Sequence, residues 1–248
     1  MYTMQKKTVL TAAAMLLVAT LSGASAADVT VPNGSFESPT PPPGFPVNTQ
    51  IDVWQKAPQP PGIPLPGGIS WDQLSGVFPN TAAGAPDHID NLTGNQGAYF
   101  FSIPGVGLSQ ELGSSFTVGN SYQLTIGILG GGGITEGSMF QFGFYYLDDA
   151  NAMVALNRST ITFTPAAFPN VTHLNDYSVL LPEVQAGDAW AGRSVGIELS
   201  SSFGMGVGYW DVDNVRLVSV PEPSTLGLVT LGAAGMFILR SLSHRRRD

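Results

Sequence analysis

Apolar and polar side chains alternate along several runs between residues 97 and 219. Every second residue is apolar from Ser121 to Leu129, and the run from Met139 to Tyr146 repeats this pattern with aromatic residues. Successive side chains of a β-strand point to opposite faces, so each run buries one face and exposes the other. The predicted inward positions are Tyr122, Leu124, Ile126 and Ile128, then Phe140, Phe142, Phe144 and Tyr146, then Tyr177, Val179 and Leu181, and finally Val195, Ile197 and Leu199.

Segments rich in glycine separate these runs, which is typical of turns between antiparallel strands. They include Gly119-Asn120, residues 130–133 and residues 204–208. No segment of similar length between residues 27 and 219 repeats apolar residues with the 3.6-residue period of an amphipathic helix. The pattern therefore predicts an all-β domain over residues 27–219, a β-sandwich of about eight to ten strands in the jelly-roll or Greek-key class.

Prolines are concentrated in residues 39–68, between an early strand and the body of the predicted sheets. Proline fixes φ and lacks a backbone donor, so this stretch cannot form a regular helix or a central strand. One interpretation is a long surface excursion that packs down around Trp54. The other is a flexible spacer.

The first 26 residues have the pattern of a secretory signal peptide. Lys6 and Lys7 precede an apolar stretch from Val9 to Leu21, and Ala24-Ser25-Ala26 is a small-residue cleavage site. The apolar stretch is short for a bilayer, which needs about 20 residues. We expect signal peptidase to cleave after Ala26; a retained anchor is the alternative.

The C-terminal segment 220–248 combines a short motif, an apolar stretch and a basic end in that order. They are the motif Val220-Pro221-Glu222-Pro223-Ser224 at 220–224, the predicted transmembrane helix 225–242, and the tail 243–248 with Arg245, Arg246 and Arg247. The positive-inside rule predicts that the arginines stay in the cytoplasm, which leaves the domain on the other side of the membrane.

This ending resembles the PEP-CTERM sorting signal of Gram-negative bacteria. The resemblance implies processing near the motif by an exosortase, a membrane enzyme, after transient anchoring in the inner membrane. It also implies a final location at the cell surface or in the exopolysaccharide matrix. The alternative is an ordinary C-terminal anchor with a single span.

Charge narrows the possible partners of the exported domain. Residues 27–219 contain four basic and sixteen acidic residues, a net charge of about −12. Such a surface repels phosphate backbones, so nucleic acid is not an expected partner. The chain has no cysteine, which excludes disulfides, thiolate metal sites and cysteine nucleophiles.

The two edges of the domain carry a second resemblance. Asn33-Gly34-Ser35-Phe36-Glu37 opens the domain and the segment from Tyr209 to Leu217 closes it. These motifs are similar to those of galactose-binding-like jelly rolls, which include many carbohydrate-binding modules. The resemblance implies a structural calcium shared by the first and last strands, with Glu37 and Asp213 at the matching positions and Asp211 nearby. The alternative is that these carboxylates only cap strand ends.

Carbohydrate binding would require aromatic platforms beside polar groups. The candidates are Trp54, Trp71, Trp190 and Tyr145. Burial as core anchors is the competing interpretation for each tryptophan, and Trp210 in the last strand is expected in the core.

The sequence contains no catalytic motif that we identify: no Gly-x-Ser-x-Gly elbow, no Walker loop and no histidine pair at metal-ligand spacing. We therefore expect a non-enzymatic surface or matrix protein that binds extracellular polysaccharide. The alternatives are a structural or adhesive protein without a sugar site and an extracellular glycan hydrolase.

Overall fold

The protein is a β-sandwich of two antiparallel sheets, as the alternating pattern predicts. The computed structural model describes residues 25–65, 67–204 and 208–222. The signal-peptide residues 1–24, Pro223, the predicted helix 225–242 and Arg245, Arg246 and Arg247 lie outside the described residues. No helix in the described part is long and apolar enough to cross a membrane.

Eleven strands are described within residues 27–221. They are β1 (Ala27–Val29), β2 (Gln55–Lys56), β3 (Ser75–Pro79), β4 (Gln96–Phe101), β5 (Gly107–Ser115), β6 (Asn120–Gly131), β7 (Met139–Leu147), β8 (Met153–Thr162), β9 (Asn175–Leu181), β10 (Ser194–Phe203) and β11 (Tyr209–Pro221), with one 3-10 turn at Trp71–Leu74. The six-stranded sheet has the order β3-β4-β11-β6-β9, with β1 also paired to β11. The five-stranded sheet has the order β2-β5-β10-β7-β8.

The core lies between the two sheets, and the predicted inward positions either belong to it or, like Tyr146 and Tyr177, pack against it. The alternating residues of β6, β7 and β10 are buried, from Tyr122 to Ile128, from Phe140 to Phe144 and from Val195 to Leu199. Trp210 is fully buried and packs its ring 5.7 Å from that of Phe140. The alternating apolar positions are therefore the side chains that pack between the two sheets.

Tyr145 is buried although the alternation of β7 places it on the outer face of the five-stranded sheet, with Gln141 and Gly143. Tyr145 lies opposite Gly196 of β10 and is only 3% exposed, while Tyr146 is half-buried. The register between β7 and β8 shifts here, but the extra residue lies in β8, since Gly143 faces Arg158 and Tyr145 faces Ala155. Tyr145 is buried because its ring lies over Gly196, where a Cβ atom would be 2.5 Å from the ring.

The alternation between core and outer face reverses once in β11. Trp210 and Val212 belong to the core before Asn214, and Val215 and Leu217 belong to it afterwards. Asn214 has a φ of 56°, a left-handed conformation that is typical of a bulge. Asp211, which alternates with Trp210 and Val212, therefore lies on the outer face of the six-stranded sheet.

The proline-rich segment packs against both sheets. Asn48 forms a bridge with Val77 of β3, while Gln55 of β2 pairs with Ser109 of β5. Trp54 is buried beside them. The described part of residues 39–68 therefore contacts both sheets, and its residues 46–49 cover part of the outer face that carries Asp211.

Candidate functional site

A cavity of about 920 Å³ opens on the outer face of the six-stranded sheet. Its floor consists of Tyr99 and Phe101 from β4 and Tyr209 and Asp211 from β11. These residues are paired across the strands, Tyr209 with Phe101 and Asp211 with Tyr99. Residues two apart on a strand share a face, so the register gathers three aromatic rings and one carboxyl group.

Loops form the walls of this cavity, and most of their lining is apolar. The wall residues include Pro46, Val47 and Thr49 of the proline-rich segment, Ile69 and Gln73 beside the 3-10 turn, Thr81, Pro86, Asp87 and Ile89 after β3, Gly132, Gly133 and Ile134 after β6, and Phe163 and Val171. A cavity of this size and polarity is suited to a small organic molecule.

Asp211 is the buried carboxyl group of the cavity floor. Its side chain is 7% exposed, and its Oδ1 atom has no hydrogen-bond partner among the described residues. Burial raises the pKa of Asp211 well above its usual value, because the ionised form loses its hydration. Asp211 therefore keeps its proton to a higher pH than an ordinary aspartate does, and in the protonated form it can act as an acid.

The two tyrosines of the floor also keep their protons to a higher pH than an ordinary tyrosine does. Burial, followed by the charge of Asp72, raises the pKa of Tyr99 to about 12, and the Tyr99 hydroxyl donates to the Gln73 carbonyl at 3.2 Å. Burial also raises the pKa of Tyr209, with smaller contributions from Asp211 and Asp87. Asp211 is therefore the acidic group of the floor.

Glycines at the end of β6 and directly after it allow Asp211 and Tyr209 to pack closely against this segment. A Cβ atom at Gly131 would lie 2.8 Å from Oδ2 of Asp211, and one at Gly132 would lie 2.0 Å from the ring of Tyr209. Side chains essentially never approach this closely. The glycine run at residues 130–133, which the sequence presents as a turn, is also the surface on which the floor rests.

We expect Gly131→Ala to lower the free energy of unfolding by about 1–3 kcal/mol, a typical result of overpacking. Gly113→Ala on β5 is the matched control, because a Cβ atom there meets nothing within 4 Å. Its effect should stay within about 0.5 kcal/mol in urea denaturation. Equal effects of the two substitutions would contradict the close packing of Asp211 on Gly131.

A pair of carboxylates, Glu37 and Asp213, lies where the segment 33–37 meets β11. Backbone amides of Asn95 and Gln96 donate to Oε1 of Glu37 at 2.9 and 2.8 Å, and the amide of Thr93 donates to Oδ2 of Asp213 at 2.6 Å. Asp213 is fully buried, and its Oδ1 has no partner among the described residues. Burial first, and the nearby charge of Glu37 in addition, raise the pKa of Asp213 to about 7.

The sequence profile of the HpiC1-like family, described as HpiC1 cyclase, matches residues 27–218. The chain belongs to the HpiC1-like family. A second profile, the PEP-CTERM protein-sorting motif, matches residues 219–246 and confirms the predicted sorting signal. That signal implies an exported protein of the cell envelope that is processed by an exosortase. No curated protein matches the chain.

Solved structures of cyclases share the fold of the HpiC1-like domain. The apo form of a cyclase from Fischerella sp. is 19% identical, with a TM-score of 0.61 over 81% of this chain and 99% of that chain. A cyclase from Fischerella sp. TAU in complex with 4-(1H-indol-3-yl)butan-2-one is also 19% identical, with a TM-score of 0.61 over 80% of this chain and 100% of that one. The cyclase Fisc from the same source, in complex with (3Z)-3-(1-methyl-2-pyrrolidinylidene)-3H-indole, is 20% identical with a TM-score of 0.59 over 80% and 100% of the two chains.

None of the four aromatic residues expected to bind sugar lines the cavity of this HpiC1-like domain. Trp54 is 6% exposed, stacks on Phe36 at 5.5 Å and donates its indole N–H to the Asn33 carbonyl. Tyr145 is buried on the other sheet. A sugar would find no open face on either ring.

Trp71 and Trp190 are half-buried. The indole N–H of Trp71 donates to the Ala57 carbonyl at 2.7 Å, and its neighbour Gln73 reaches the cavity wall. The indole nitrogen of Trp190 is buried without a partner among the described residues. Among the four predicted residues, Trp71 alone belongs to an element, the 3-10 turn Trp71–Leu74, that also contributes a residue to the cavity lining.

Sequence reasoning did not identify Tyr99, Phe101 or Tyr209 as site residues. It mentioned Asp211 only as a residue near the predicted calcium ligands. The available signal was the order Tyr209-Trp210-Asp211-Val212, in which an acid alternates with core residues. Strand periodicity alone would place that acid in solvent. It is buried because distant loops cover the outer face.

Proposed function

We propose that the HpiC1-like domain binds an apolar, aromatic small molecule in this cavity and that Asp211 transfers a proton to it. The observation that carries the proposal is a carboxyl group that is almost fully buried, without a partner at Oδ1, and part of the cavity lining. Leaving such a group unpaired is unfavourable for the fold. Groups of this kind are concentrated at functional sites.

The composition of the cavity lining favours an aromatic ligand. Tyr99, Phe101 and Tyr209 supply ring faces and edges, and the described lining contains no lysine or arginine. Two related cyclases were crystallised with indole-containing compounds. An indole-type ring is therefore the best first probe for this chain.

Protonation would proceed from the Asp211 carboxyl group to a ring carbon or a double bond of the bound molecule. The π electrons form the new C–H bond, the positive charge remains on the ligand, and Asp211 becomes a carboxylate. Aromatic faces stabilise a cation beside them, and the enclosed floor strengthens the interaction between the two charges. This proposal departs from the non-enzymatic function expected from the sequence.

We predict that the full-length protein binds 4-(1H-indol-3-yl)butan-2-one in a saturable manner by titration calorimetry. Tyr209→Ala should weaken binding at least about tenfold, because it removes a ring from the floor. Tyr177→Ala on β9 is the matched control, since Tyr177 is also half-buried but does not line the cavity. Non-saturable binding, or equal losses in the two variants, would contradict an aromatic ligand in this cavity.

Binding of extracellular polysaccharide is the second candidate. It is supported by the half-buried ring of Trp71 next to Gln73 and by the sorting signal, which fits a protein of the cell surface or exopolysaccharide matrix. We infer that signal peptidase and exosortase process the chain in a Gram-negative bacterium and that the C-terminal helix holds it transiently in the inner membrane. A glycan array that includes the host polysaccharide tests this candidate.

We also propose that Glu37 and Asp213 bind a structural calcium ion. The orphaned, buried Oδ1 of Asp213 and the adjacent carboxylate of Glu37 suit a hard cation with oxygen ligands. Among the described residues no group of three or more His, Cys, Asp or Glu side chains could hold a metal. Backbone carbonyls and water would therefore complete the coordination.

A further inference from the structure

The cavity has charged groups of one sign only. Asp211 and Asp87 are its charged lining residues, and no basic side chain is among the described residues that form it. Asp211 lies in the floor and is buried, whereas Asp87 is exposed on the loop after β3. The cavity therefore has a carboxyl group at the bottom and a second one at its rim.

Both carboxyl groups act on the same ring. Asp211 and Asp87 each raise the pKa of the Tyr209 hydroxyl through their charge. Tyr209 is consequently within electrostatic range of both groups. A ligand that lies along Tyr209 would reach from the floor to the rim.

The basic residues of the described domain do not neutralise the rim. Lys56 pairs with Asp72, and the three arginines pair with other acids. These remaining pairs are Arg158 with Glu198, Arg193 with Asp149 and Arg216 with Asp176. His88, the neighbour of Asp87, contacts the Thr81 carbonyl through Nδ1 at 2.7 Å.

An exposed carboxylate beside aromatic rings favours a cation. An ammonium or iminium group at the mouth would meet the charge of Asp87 and the π face of Tyr209. A carboxylate in the same position would be repelled by Asp87 and by the acidic surface around it. The arrangement therefore discriminates between ligands of similar shape and opposite charge.

We propose that the ligand of this cavity carries a basic or cationic nitrogen at its outward end, and that Asp87 is the specificity residue that binds it. This inference rests on the proposed function, in which the aromatic end of the ligand lies on the floor beside Asp211. The two carboxyl groups then have separate roles. Asp211 reacts with the apolar end, and Asp87 selects and orients the charged end.

Three probes of nearly equal shape test the inference with the full-length protein: tryptamine, 3-ethylindole and indole-3-propionate. We expect tryptamine to bind about tenfold more tightly than 3-ethylindole, and indole-3-propionate to bind more weakly than both. Raising the salt concentration should reduce the preference, since Asp87 is exposed and its charge is screened. Titration calorimetry at neutral pH measures all three affinities.

Asp87→Asn should bring the three affinities to within about twofold of one another. Asp90→Asn is the matched control, because Asp90 is exposed on the same loop but does not line the cavity; it should keep the preference. Equal affinities in the wild type, or a preference that survives Asp87→Asn, would overturn the cationic ligand and leave the aromatic cavity intact. Failure of all three probes to bind would overturn both proposals.

Discussion

Asp211→Asn should slow the exchange of the C3 hydrogen of 2-methylindole for deuterium at least about 100-fold relative to the wild type in D2O. Exchange at this carbon requires an acid that delivers a deuteron to the ring and a base that removes the original proton. The protonated form of Asp211 can do the first and its carboxylate the second, and general acid catalysis of this kind contributes about 10² to 10⁴. Asparagine has nearly the same shape but no acidic proton. Proton NMR follows the loss of the C3 signal.

The pH profile separates proton transfer from simple binding. The protonated form of Asp211 is the donor, and burial holds its pKa well above the usual value. The exchange rate should therefore be constant below that pKa and decline as pH rises through it. Asp28→Asn on β1, an exposed acid outside the cavity, should leave both rate and profile unchanged. A wild-type rate equal to that of Asp211→Asn would remove Asp211 from the reaction.

The sequence predicts the sandwich because the core follows one simple period. Tyr122 to Ile128 and Val195 to Leu199 are buried as expected, since strands of an antiparallel sandwich contact the core with one face. The predicted sorting signal follows from a contiguous motif at residues 220–224. Both inferences depend on residues that are neighbours in the sequence.

The cavity could not be predicted in this way, because its residues meet only through the sheet register. Tyr99 and Asp211 are adjacent because β4 pairs with β11, and Asp211 is buried because residues 46–49 and 130–134 fold over the outer face. Strand periodicity predicts that Asp211 is exposed, but the loops that cover the sheet bury it. The bulge at Asn214 likewise changes which residues of β11 face the core, and sequence periodicity does not predict it.

This distinction explains why tryptophan was a poor guide to the site. Trp54 and Trp210 are large apolar residues in a domain without disulfides, and their burial stabilises the fold. The aromatic rings of the cavity floor are instead Tyr99, Phe101 and Tyr209, which the strand pattern alone does not distinguish from core residues. The proposed site therefore lies on the covered outer face, whereas Trp54 and Trp210 pack in the interior.

Calcium at one hundred times its dissociation constant should raise the melting midpoint by about 5–11 °C. Binding to the folded state alone contributes about 2.7 kcal/mol under that condition, and each kcal/mol shifts the midpoint of a domain of this size by about 2–4 °C. The ion would offset the repulsion between Glu37 and the ionised Asp213. Asp213→Asn should lose most of this response, whereas Asp28→Asn should retain it. Differential scanning calorimetry with calcium or with chelator measures the shift.

The stability of the same variants should also depend on pH, in a direction that follows from the pKa of Asp213. The pKa of Asp213 is about 7 in the folded state, above the value near 3.9 of an unfolded aspartate. The folded chain therefore binds more protons between about pH 4 and pH 7, and without calcium its stability falls as pH rises through that window. Asp211 contributes in the same direction, so the difference between wild type and Asp213→Asn isolates Asp213. Because calcium competes with the proton, its stabilising effect should be small at about pH 5 and full above pH 7; a shift of equal size at both pH values would exclude Asp213 as a ligand.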